Sequence, residues 1–264
     1  SPVHRNCAHT GGFNMNAMVN LLNGFKLAEG FCEIHQVQKV QAGPHQICPS
    51  CAINHVHDSK QGEQARVDQM VRDKHFGGAM LPERHAQSAF DNYKTLTHAQ
   101  ANTLTECIQY AQALLAGDKS NFIMVGSTGT GKTHLGCATA KTLLKKGLYV
   151  RYITSEELAQ RVMNAWDKDT KDQSEASVIY EFTTYDLLIL DEYGLHDRGT
   201  RLEIIHKVLT ARYDRKKPTM LISNFSMNKL KADLGDRLWS RFQHDGLRTV
   251  ECNWSDARVG GAYV

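Results

Sequence analysis

Residues 126–133 read GSTGTGKT and satisfy the pattern GxxxxGK[ST]. Glycines at this spacing let the main chain wrap around a phosphate chain with its N–H groups pointing inward. The side chain of Lys132 would reach the β- and γ-phosphates, and the Thr133 hydroxyl would bind Mg²⁺. An apolar stretch at 121–125 precedes the loop and a helix is expected over 132–145, as this chemistry requires. The predicted nucleotide contacts are Gly126, Ser127, Thr128, Gly129, Thr130, Gly131, Lys132, Thr133, His134 and Asp191.

Two further polar groups follow apolar stretches that read as strands. The stretch 186–190 is followed by Asp191 and Glu192. An acidic residue at the carboxyl end of a buried strand near a phosphate loop can hold Mg²⁺, and an adjacent Glu can polarise the attacking water. The next strand, 218–223, is followed by Asn224, which could orient that water against the γ-phosphate. This arrangement favours hydrolysis of the nucleotide over binding alone.

The sequence GDRLWSRF at 235–242 contains Arg237 and Arg241, four residues apart on one helical face. An arginine near a subunit boundary can stabilise transition-state charge in a neighbour's site. The alternative interpretation is that both are surface arginines on a solvated helix.

Cysteine and histidine are concentrated near the N-terminus. The sequences CEIH at 32–35 and CPSC at 48–51 are two knuckles, each offering two ligands at the spacing used for tetrahedral Zn²⁺. The predicted ligands are Cys32, His35, Cys48 and Cys51, with His45, His55 and His57 as substitutes for His35. Four protein ligands leave no open position, so the site is expected to be structural. The alternative is three reduced thiols and a surface histidine in a poorly ordered segment.

The segment between the knuckles predicts a short hairpin that turns at Gly43-Pro44. Such a small zinc-ribbon-like domain cannot bury enough apolar surface to fold alone, so metal binding would supply the missing stability. We predict an N-terminal segment over 1–30, in part disordered or foreign to the natural chain. A zinc-binding domain over 31–58 and a linker helix with a hinge over 59–79 would follow.

From residue 80 onward, short apolar runs alternate with stretches of helical periodicity. The predicted strands are 121–125, 148–153, 186–190 and 218–223. Continuous apolar strands separated by helices are typical of a parallel sheet covered on both faces. We therefore predict an α/β fold, a P-loop NTPase core with a parallel sheet flanked by helices, over 80–264.

The composition excludes several other classes. Hydrophobic residues make up 41% and charged residues 22% of the chain, which argues against wholesale disorder and fibrous architectures. The net charge of +3 neither requires nor excludes nucleic acid. No apolar run approaches the ~20 residues that cross a bilayer, and the N-terminus has no signal-like pattern. We expect a cytoplasmic protein, of a bacterial cell or a phage-infected host, without a membrane partner.

Residues 80–264 resemble AAA+ ATPases of the initiator and helicase-loader group, in particular bacterial and phage replicative-helicase loaders of the DnaC/DnaI type. The resemblance rests on an ordered set of sequences: LPERHAQSAFDNY at 81–93, NFIMVGSTGTGKTHL at 121–135, LLILDE at 187–192, the strand end Ser223-Asn224, LGDRLWSRF at 234–242 and NWSDAR at 253–258. By that resemblance, Walker A contains Lys132 and Thr133, Walker B contains Asp191 and Glu192, sensor 1 is Asn224 and the arginine finger is Arg241. Arg258 is a weaker candidate for sensor 2.

The resemblance implies an ATP-dependent loader that binds the hexameric replicative helicase and delivers it onto single-stranded DNA during replication initiation. ATP would be hydrolysed to ADP in a self-associated assembly, with Mg²⁺ at the nucleotide and structural Zn²⁺ in the N-terminal region that contacts the helicase. One alternative is a transposase-helper ATPase acting on duplex DNA, against which the zinc knuckles argue. Another is a nucleotide-switched adaptor with little turnover, which would not need Glu192.

Single-stranded DNA would contact basic residues of the core, and two groups are candidates. They are Lys141, Lys145, Lys146, Arg161 and Lys168 in the first, and Arg212, Arg215, Lys216 and Lys217 in the second. Basic residues near helix C-termini also complement the helix dipole, so the composition alone does not assign any of them to DNA.

Overall fold

The computed structural model describes residues 26–166 and 173–255. The chain divides into two compact units, one ending at Met70 and one beginning at Val71. This division falls inside helix α1 (Pro49–Gly78). Two residues with predicted roles, Lys168 and Arg258, lie outside the described residues.

The first unit contains a three-stranded antiparallel sheet. Its strands are β1 (Lys26–Phe31), β2 (Gln38–Ala42) and β3 (His45–Ile47), paired in that order. Gly43 closes the turn between β2 and β3 at a φ of 59°, a backbone conformation that favours glycine. The predicted hairpin is therefore confirmed. Strand β1 was not predicted, and all of it except Phe31 lies within the segment 1–30 that we expected to be in part disordered or foreign to the natural chain.

Helix α1 is longer than the predicted linker helix of 59–79. It begins at Pro49, directly after Cys48, because proline has the φ of a helix and lacks the N–H group that a first turn leaves unpaired. The second CxxC knuckle therefore lies at the start of a helix. The helix ends at Gly78, as the pair Gly77-Gly78 predicts.

The second unit alternates helices and strands after a short 3₁₀ turn at Glu83–His85. Its helices are α2 (His98–Leu115), α3 (Lys132–Lys145), α4 (Ser155–Asn164), α5 (Glu175–Phe182), α6 (Thr200–Asp214) and α7 (Met227–His244). Its strands are β4 (Asn121–Gly126), β5 (Val150–Thr154), β6 (Leu187–Tyr193), β7 (Thr219–Ser223) and β8 (Leu247–Cys252).

The five strands form one parallel sheet in the order β5-β6-β7-β4-β8. Strand β4 shows how the sheet is covered, since Phe122 and Met124 enter one apolar cluster while Ile123 and Val125 enter the other. Helices α2 and α3 contribute to the first cluster, and α4 to α7 contribute to the second. The predicted α/β fold with helices on both faces is confirmed.

The sheet order decides where the chemistry lies. Strand β7 lies between β4 and β6, and the carboxyl ends of parallel strands meet at one edge of a sheet. The loop after β4, the acidic pair of β6 and Asn224 after β7 therefore converge at the same edge.

Two elements of the second unit were not predicted from the sequence, helix α5 and strand β8. In β8 the residues Arg248, Thr249 and Glu251 interrupt the apolar pattern, and the strand pairs within this sheet with β4 alone. Strand β6 also runs past the predicted end at 190 to Tyr193, with a register shift after Leu190. Across the described ranges, no helix is both long and apolar enough to span a bilayer.

Candidate functional site

The loop between β4 and α3 is closed by its own lysine. Lys132 Nζ donates to the main-chain carbonyls of Gly126 at 2.7 Å and Ser127 at 2.6 Å. The Thr130 hydroxyl donates to the Ser127 carbonyl at 2.9 Å. Lys132 is buried, with 6% of its surface exposed, so the loop places a cation at the base of the helix that follows it.

Two glycines are required for the loop to take this shape. A Cβ at Gly126 would lie 2.2 Å from the carbonyl oxygen of Cys252, and φ at Gly126 is 131°. A Cβ at Gly131 would lie 2.8 Å from the ring of Tyr93, and φ there is 86°. Both positions combine a left-handed backbone with a close neighbour, so other residues would displace the loop.

The loop is also held from outside at one carbonyl group. The Thr130 carbonyl accepts hydrogen bonds from the Tyr93 hydroxyl at 3.2 Å and from Trp254 Nε1 at 3.0 Å. His134, in the first turn of α3, bonds through Nε2 to the Ala89 carbonyl at 2.9 Å. Segments before and after the sheet therefore fix the loop.

Asp191 joins the acidic strand end to the loop. Its Oδ2 accepts hydrogen bonds from the Thr133 hydroxyl and from the Tyr152 hydroxyl, each at 2.7 Å. Its Oδ1 accepts from the main-chain N–H of Glu192 at 2.7 Å. Burial raises the pKa of Tyr152, and the charge of Asp191 raises it further, so the phenol stays protonated and donates.

Glu192 stands in an unusual backbone conformation, with a φ of 57°. A non-glycine residue with positive φ carries strain, and such strain clusters at functional sites. Burial raises the pKa of the Glu192 carboxyl group, and the neighbouring charge of Asp191 adds to that rise. The end of β6 therefore presents the Glu192 carboxylate, which is more basic than usual, beside Asp191, the predicted magnesium ligand.

These groups line one cleft of about 870 Å³. Its lining includes Thr128, Gly129, Gly131, Lys132, Thr133, His134, Asp191, Glu192 and Asn224, all of them predicted site residues. Gly126, Ser127 and Thr130 lie in the loop beneath and accept or donate the hydrogen bonds that shape it. The lining also includes Met80, Pro82, Arg84, His85 and Ser88.

The donor set of the cleft fits a nucleotide with its magnesium ion. Lys132 Nζ bonds to two main-chain carbonyl oxygens of the loop, and phosphate oxygens could replace these acceptors. Hydroxyl and carboxylate oxygens, such as those of Thr133 and Asp191, are the ligands that Mg²⁺ prefers.

Arg241 is not part of this cleft. It lies on helix α7 with its guanidinium 5.2 Å from the centre of the Tyr213 ring. A second cleft of about 490 Å³ contains Arg237 and Arg241 together with His206 and Asp214. The two predicted arginines thus share a face separate from the residues that line the first cleft.

The structure contradicts one of the proposed DNA contacts, and the others stay predictions. Arg212 is fully buried. Lys141, Arg161 and Lys217 form hydrogen bonds or ion pairs with other groups of the protein. Lys141 donates to the carbonyls of His85, Ala86 and Ser88, Arg161 pairs with Glu181 at 2.7 Å, and Lys217 pairs with Asp186 at 3.0 Å. The burial of Arg212 could not be predicted, because the sequence does not reveal which acceptors a cation meets. Lys145, Lys146, Arg215 and Lys216 are exposed.

The first unit brings Cys32, His35, Cys48 and Cys51 together, with one ligand atom from each lying within 4.8 Å of the others. The three Sγ atoms lie 3.3–3.7 Å from His35 Nδ1, and the Sγ atoms of Cys32 and Cys51 are 3.8 Å apart. Tetrahedral zinc with its usual bond lengths requires about 3.8 Å between sulfurs and about 3.5 Å between sulfur and nitrogen. His45, His55 and His57 are outside this group.

The protonation of these thiols also favours a cation. Hydrogen bonds from the main chain and side chain of His35 lower the pKa of Cys32 to about 6. Burial, followed by the neighbouring Cys48 and Cys32, raises the pKa of Cys51 to about 12. Crowding of this kind disfavours several thiolates together, and a divalent cation would relieve it. All six described cysteines are free of disulfides.

Three residues that line the first cleft or hold its loop were not predicted from the sequence. Tyr152 contacts Asp191, whereas Tyr93 and Trp254 hold the loop. For Tyr152 a signal exists, since it lies near the carboxyl end of a predicted strand, but its neighbour depends on the strand order. Tyr93 and Trp254 fall within sequences used for the resemblance, yet nothing in their spacing points to Thr130.

The sheet order, the phosphate-type loop after β4 and the acidic pair at the end of β6 define a P-loop NTPase of the AAA+ class. The chain belongs to the family described as IstB-like ATP-binding protein, whose sequence model matches residues 35–246.

Curated relatives lie at modest identity. The chain is 28% identical over 202 residues to the uncharacterized protein YdaV of Escherichia coli K12, covering 76% of this chain and 77% of that protein. It is 27% identical over 190 residues to the replicative helicase loader DnaC of the same organism, covering 72% and 76%.

Solved structures agree on the fold. A crystal structure of the DnaC helicase loader matches with a TM-score of 0.56 and 24% identity, over 64% of this chain and 99% of that one. A crystal structure of DnaI matches with a TM-score of 0.53 and 20% identity, over 67% and 94%.

Proposed function

We propose that this protein is an ATP-hydrolysing loader that binds a replicative helicase and delivers it onto single-stranded DNA. The observation that carries the proposal is the Thr133–Asp191 hydrogen bond, which joins two motifs 58 residues apart in a cleft that Glu192 also lines. A relative named as a replicative helicase loader, aligned over 72% of this chain, supports the loader role.

In this proposal each residue of the cleft has a separate task. Main-chain N–H groups of the loop and Lys132 bind the phosphates, while Thr133 and Asp191 hold the magnesium ion, which neutralises charge on the β- and γ-phosphates. Glu192 accepts a proton from the attacking water as general base, aided by its raised pKa. Asn224, on the strand between the loop and Asp191, orients that water.

The second cleft supplies the contact between subunits. We propose that Arg241 reaches the γ-phosphate bound by a neighbouring copy and stabilises the charge of the transition state. Its position away from the first cleft of its own chain supports a role in trans. Turnover would then require self-association.

The N-terminal region would bind the helicase and be held by structural Zn²⁺. Its described buried apolar residues are few, Ala28, Cys32, Val40 and Cys48, so a metal would supply much of its stability. The functional domains proposed are 31–58 for zinc binding, 59–79 as linker and 80–264 as the ATPase. A cytoplasmic location follows from the proposed partners.

Two measurements test this function together. The full chain is tested for co-purification with a hexameric replicative helicase, and its ATPase rate is measured with and without single-stranded DNA. We expect helicase capture and a DNA-dependent rate. Failure to capture the helicase would reject the loader role.

The same experiment separates the alternatives. With duplex DNA added as a third condition of the rate measurement, stimulation without helicase capture would favour a transposase-helper ATPase. Helicase capture without turnover would favour a nucleotide-switched adaptor.

A further inference from the structure

The Asp191 carboxylate has three protein donors, and they are not equivalent. Thr133 and Tyr152 both donate to Oδ2, while the N–H of Glu192 donates to Oδ1. Thr133 is also a metal ligand in the proposed function, so its hydroxyl oxygen must serve the ion as well. The Tyr152 hydroxyl has no such second task and can keep its bond to Asp191 when magnesium binds.

Tyr152 is itself rigidly placed. It lies in β5 opposite Ile189 of β6, and its N–H donates to the Ala79 carbonyl at 2.9 Å. Its side chain is packed in the apolar core with 6% of the residue exposed, and it also lines the cleft. Main-chain bonds and packing therefore fix the position from which the phenol donates.

The hydroxyl is not needed to fill this site. A phenylalanine ring would occupy the same volume among the apolar side chains, and burying a hydroxyl is costly unless it is hydrogen-bonded. The bond that satisfies the Tyr152 hydroxyl ends on Asp191. The residue is thus suited to control the orientation of that carboxylate.

We propose that Tyr152 is a positioning residue, which holds the Asp191 carboxylate in the orientation that binds the magnesium ion of the nucleotide. The inference rests on the proposed nucleotide-binding function. It assigns no chemical step to Tyr152, since the phenol acts through Asp191.

The test measures the dissociation constant of ADP by calorimetry with EDTA and with Mg²⁺, for the full chain and for Tyr152→Phe. The ratio of the two constants reports how much the ion strengthens nucleotide binding. We expect Tyr152→Phe to lower this ratio roughly 10-fold or more, as for loss of a hydrogen bond to a charged group, with the constant in EDTA unchanged. Tyr110→Phe is the matched control, because Tyr110 is also a buried core tyrosine, bonded to the Ser120 carbonyl.

A double-mutant cycle separates positioning from a general structural effect. In an Asp191→Ala background, Tyr152→Phe should change the ratio no further. An unchanged or increased ratio in the single variant would overturn the proposal, as would equal weakening in EDTA. Failure of the unmodified chain to bind ADP at all would reject the nucleotide-binding function too, whereas ADP binding that is indifferent to Mg²⁺ would reject this inference and the magnesium assignment.

Discussion

At the scale of single residues, the two charged side chains Lys132 and Asp191 each form short hydrogen bonds with neutral groups of the protein. Lys132 bonds to carbonyls of its own loop, and Asp191 is bonded to hydroxyls on two neighbouring elements. Nucleotide binding would exchange the carbonyl acceptors of Lys132 for phosphate oxygens, which form stronger charge-assisted bonds. We therefore expect a substitution of Lys132 to change nucleotide binding, and a substitution of Glu192 to change turnover.

Lys132→Ala should abolish measurable nucleotide binding, with affinity falling on the order of 100-fold, about 2.7 kcal/mol. The substitution removes the buried cation of the loop. Titration with ATP in the presence of Mg²⁺ measures the change. Lys145→Ala is the control, since Lys145 is exposed at the other end of α3. Normal affinity in Lys132→Ala would remove the lysine from the site.

Glu192→Gln should bind ATP as well as the unmodified chain but hydrolyse it roughly 100-fold more slowly or worse, because the amide cannot accept the proton of the attacking water. Steady-state phosphate release and a separate binding titration measure the two effects. Undiminished turnover would show that another group activates the water.

Part of this residue-level picture could be predicted from the sequence. That Thr133 and Asp191 lie close together was expected, since the sequence assigned both to the magnesium ion, but their direct hydrogen bond was not predicted. The contacts of Tyr152, Tyr93 and Trp254 could not be predicted, because they depend on strand order and on side-chain packing across distant segments. The proposed DNA contact at Arg212, which is buried, was wrong for the same reason.

At the scale of elements, one buried arginine connects three of them. Arg212 of α6 donates to the carbonyls of Phe182 at the end of α5, Tyr185, and Pro218 before β7, and its Nε donates to Thr219 Oγ1 at 3.1 Å. Burial lowers its pKa to about 9, but the guanidinium still carries its charge at neutral pH. Its role is to donate hydrogen bonds to buried oxygen atoms just before β6 and at the start of β7.

Arg212→Met should destabilise the fold by about 3–5 kcal/mol, since it leaves several buried acceptors unpaired. In a chain of this size that corresponds to a fall in Tm of roughly 10 °C. Thermal denaturation measures it. Arg215→Ala, which removes an exposed guanidinium 4.7 Å from the Tyr180 ring, should change stability by less than about 1 kcal/mol. Equal effects of the two variants would contradict this account.

The metal centre makes a second prediction at this scale. Elemental analysis should find close to one zinc per chain, and Cys48→Ser should lower that content strongly while His55→Ala does not. The reason is that Cys48 belongs to the four-residue cluster and His55 does not. A zinc content near zero in the unmodified chain would remove the assignment.

At the scale of the whole molecule, the two clefts of the second unit divide the proposed reaction between copies of the chain. Lys132 and Glu192 line one, while Arg237 and Arg241 line the other. The sequence predicted both sets of residues, but only the structure separates them spatially. If the arginine acts on a neighbour, a variant lacking it and a variant lacking the lysine should compensate for each other.

Arg241→Ala should keep its nucleotide affinity and lose most turnover, as expected for removal of a charge that acts in the transition state. Mixing it with Lys132→Ala should restore part of the ATPase rate, because some interfaces then combine an intact loop with an intact arginine. Rates are measured over a series of mixing ratios. Normal hydrolysis by Arg241→Ala alone would exclude the finger role.

The bond from Trp254 to Thr130 spans 124 positions of the chain, and the main chain of Cys252 lies against Gly126. The loop between β4 and α3 therefore reaches its final conformation only when a segment that is synthesised much later packs against it. Truncated or tagged versions for biochemistry should retain residue 254, since a shorter product would keep Lys132, Asp191, Glu192 and Arg241 while losing the hydrogen bond from Trp254 that holds the loop.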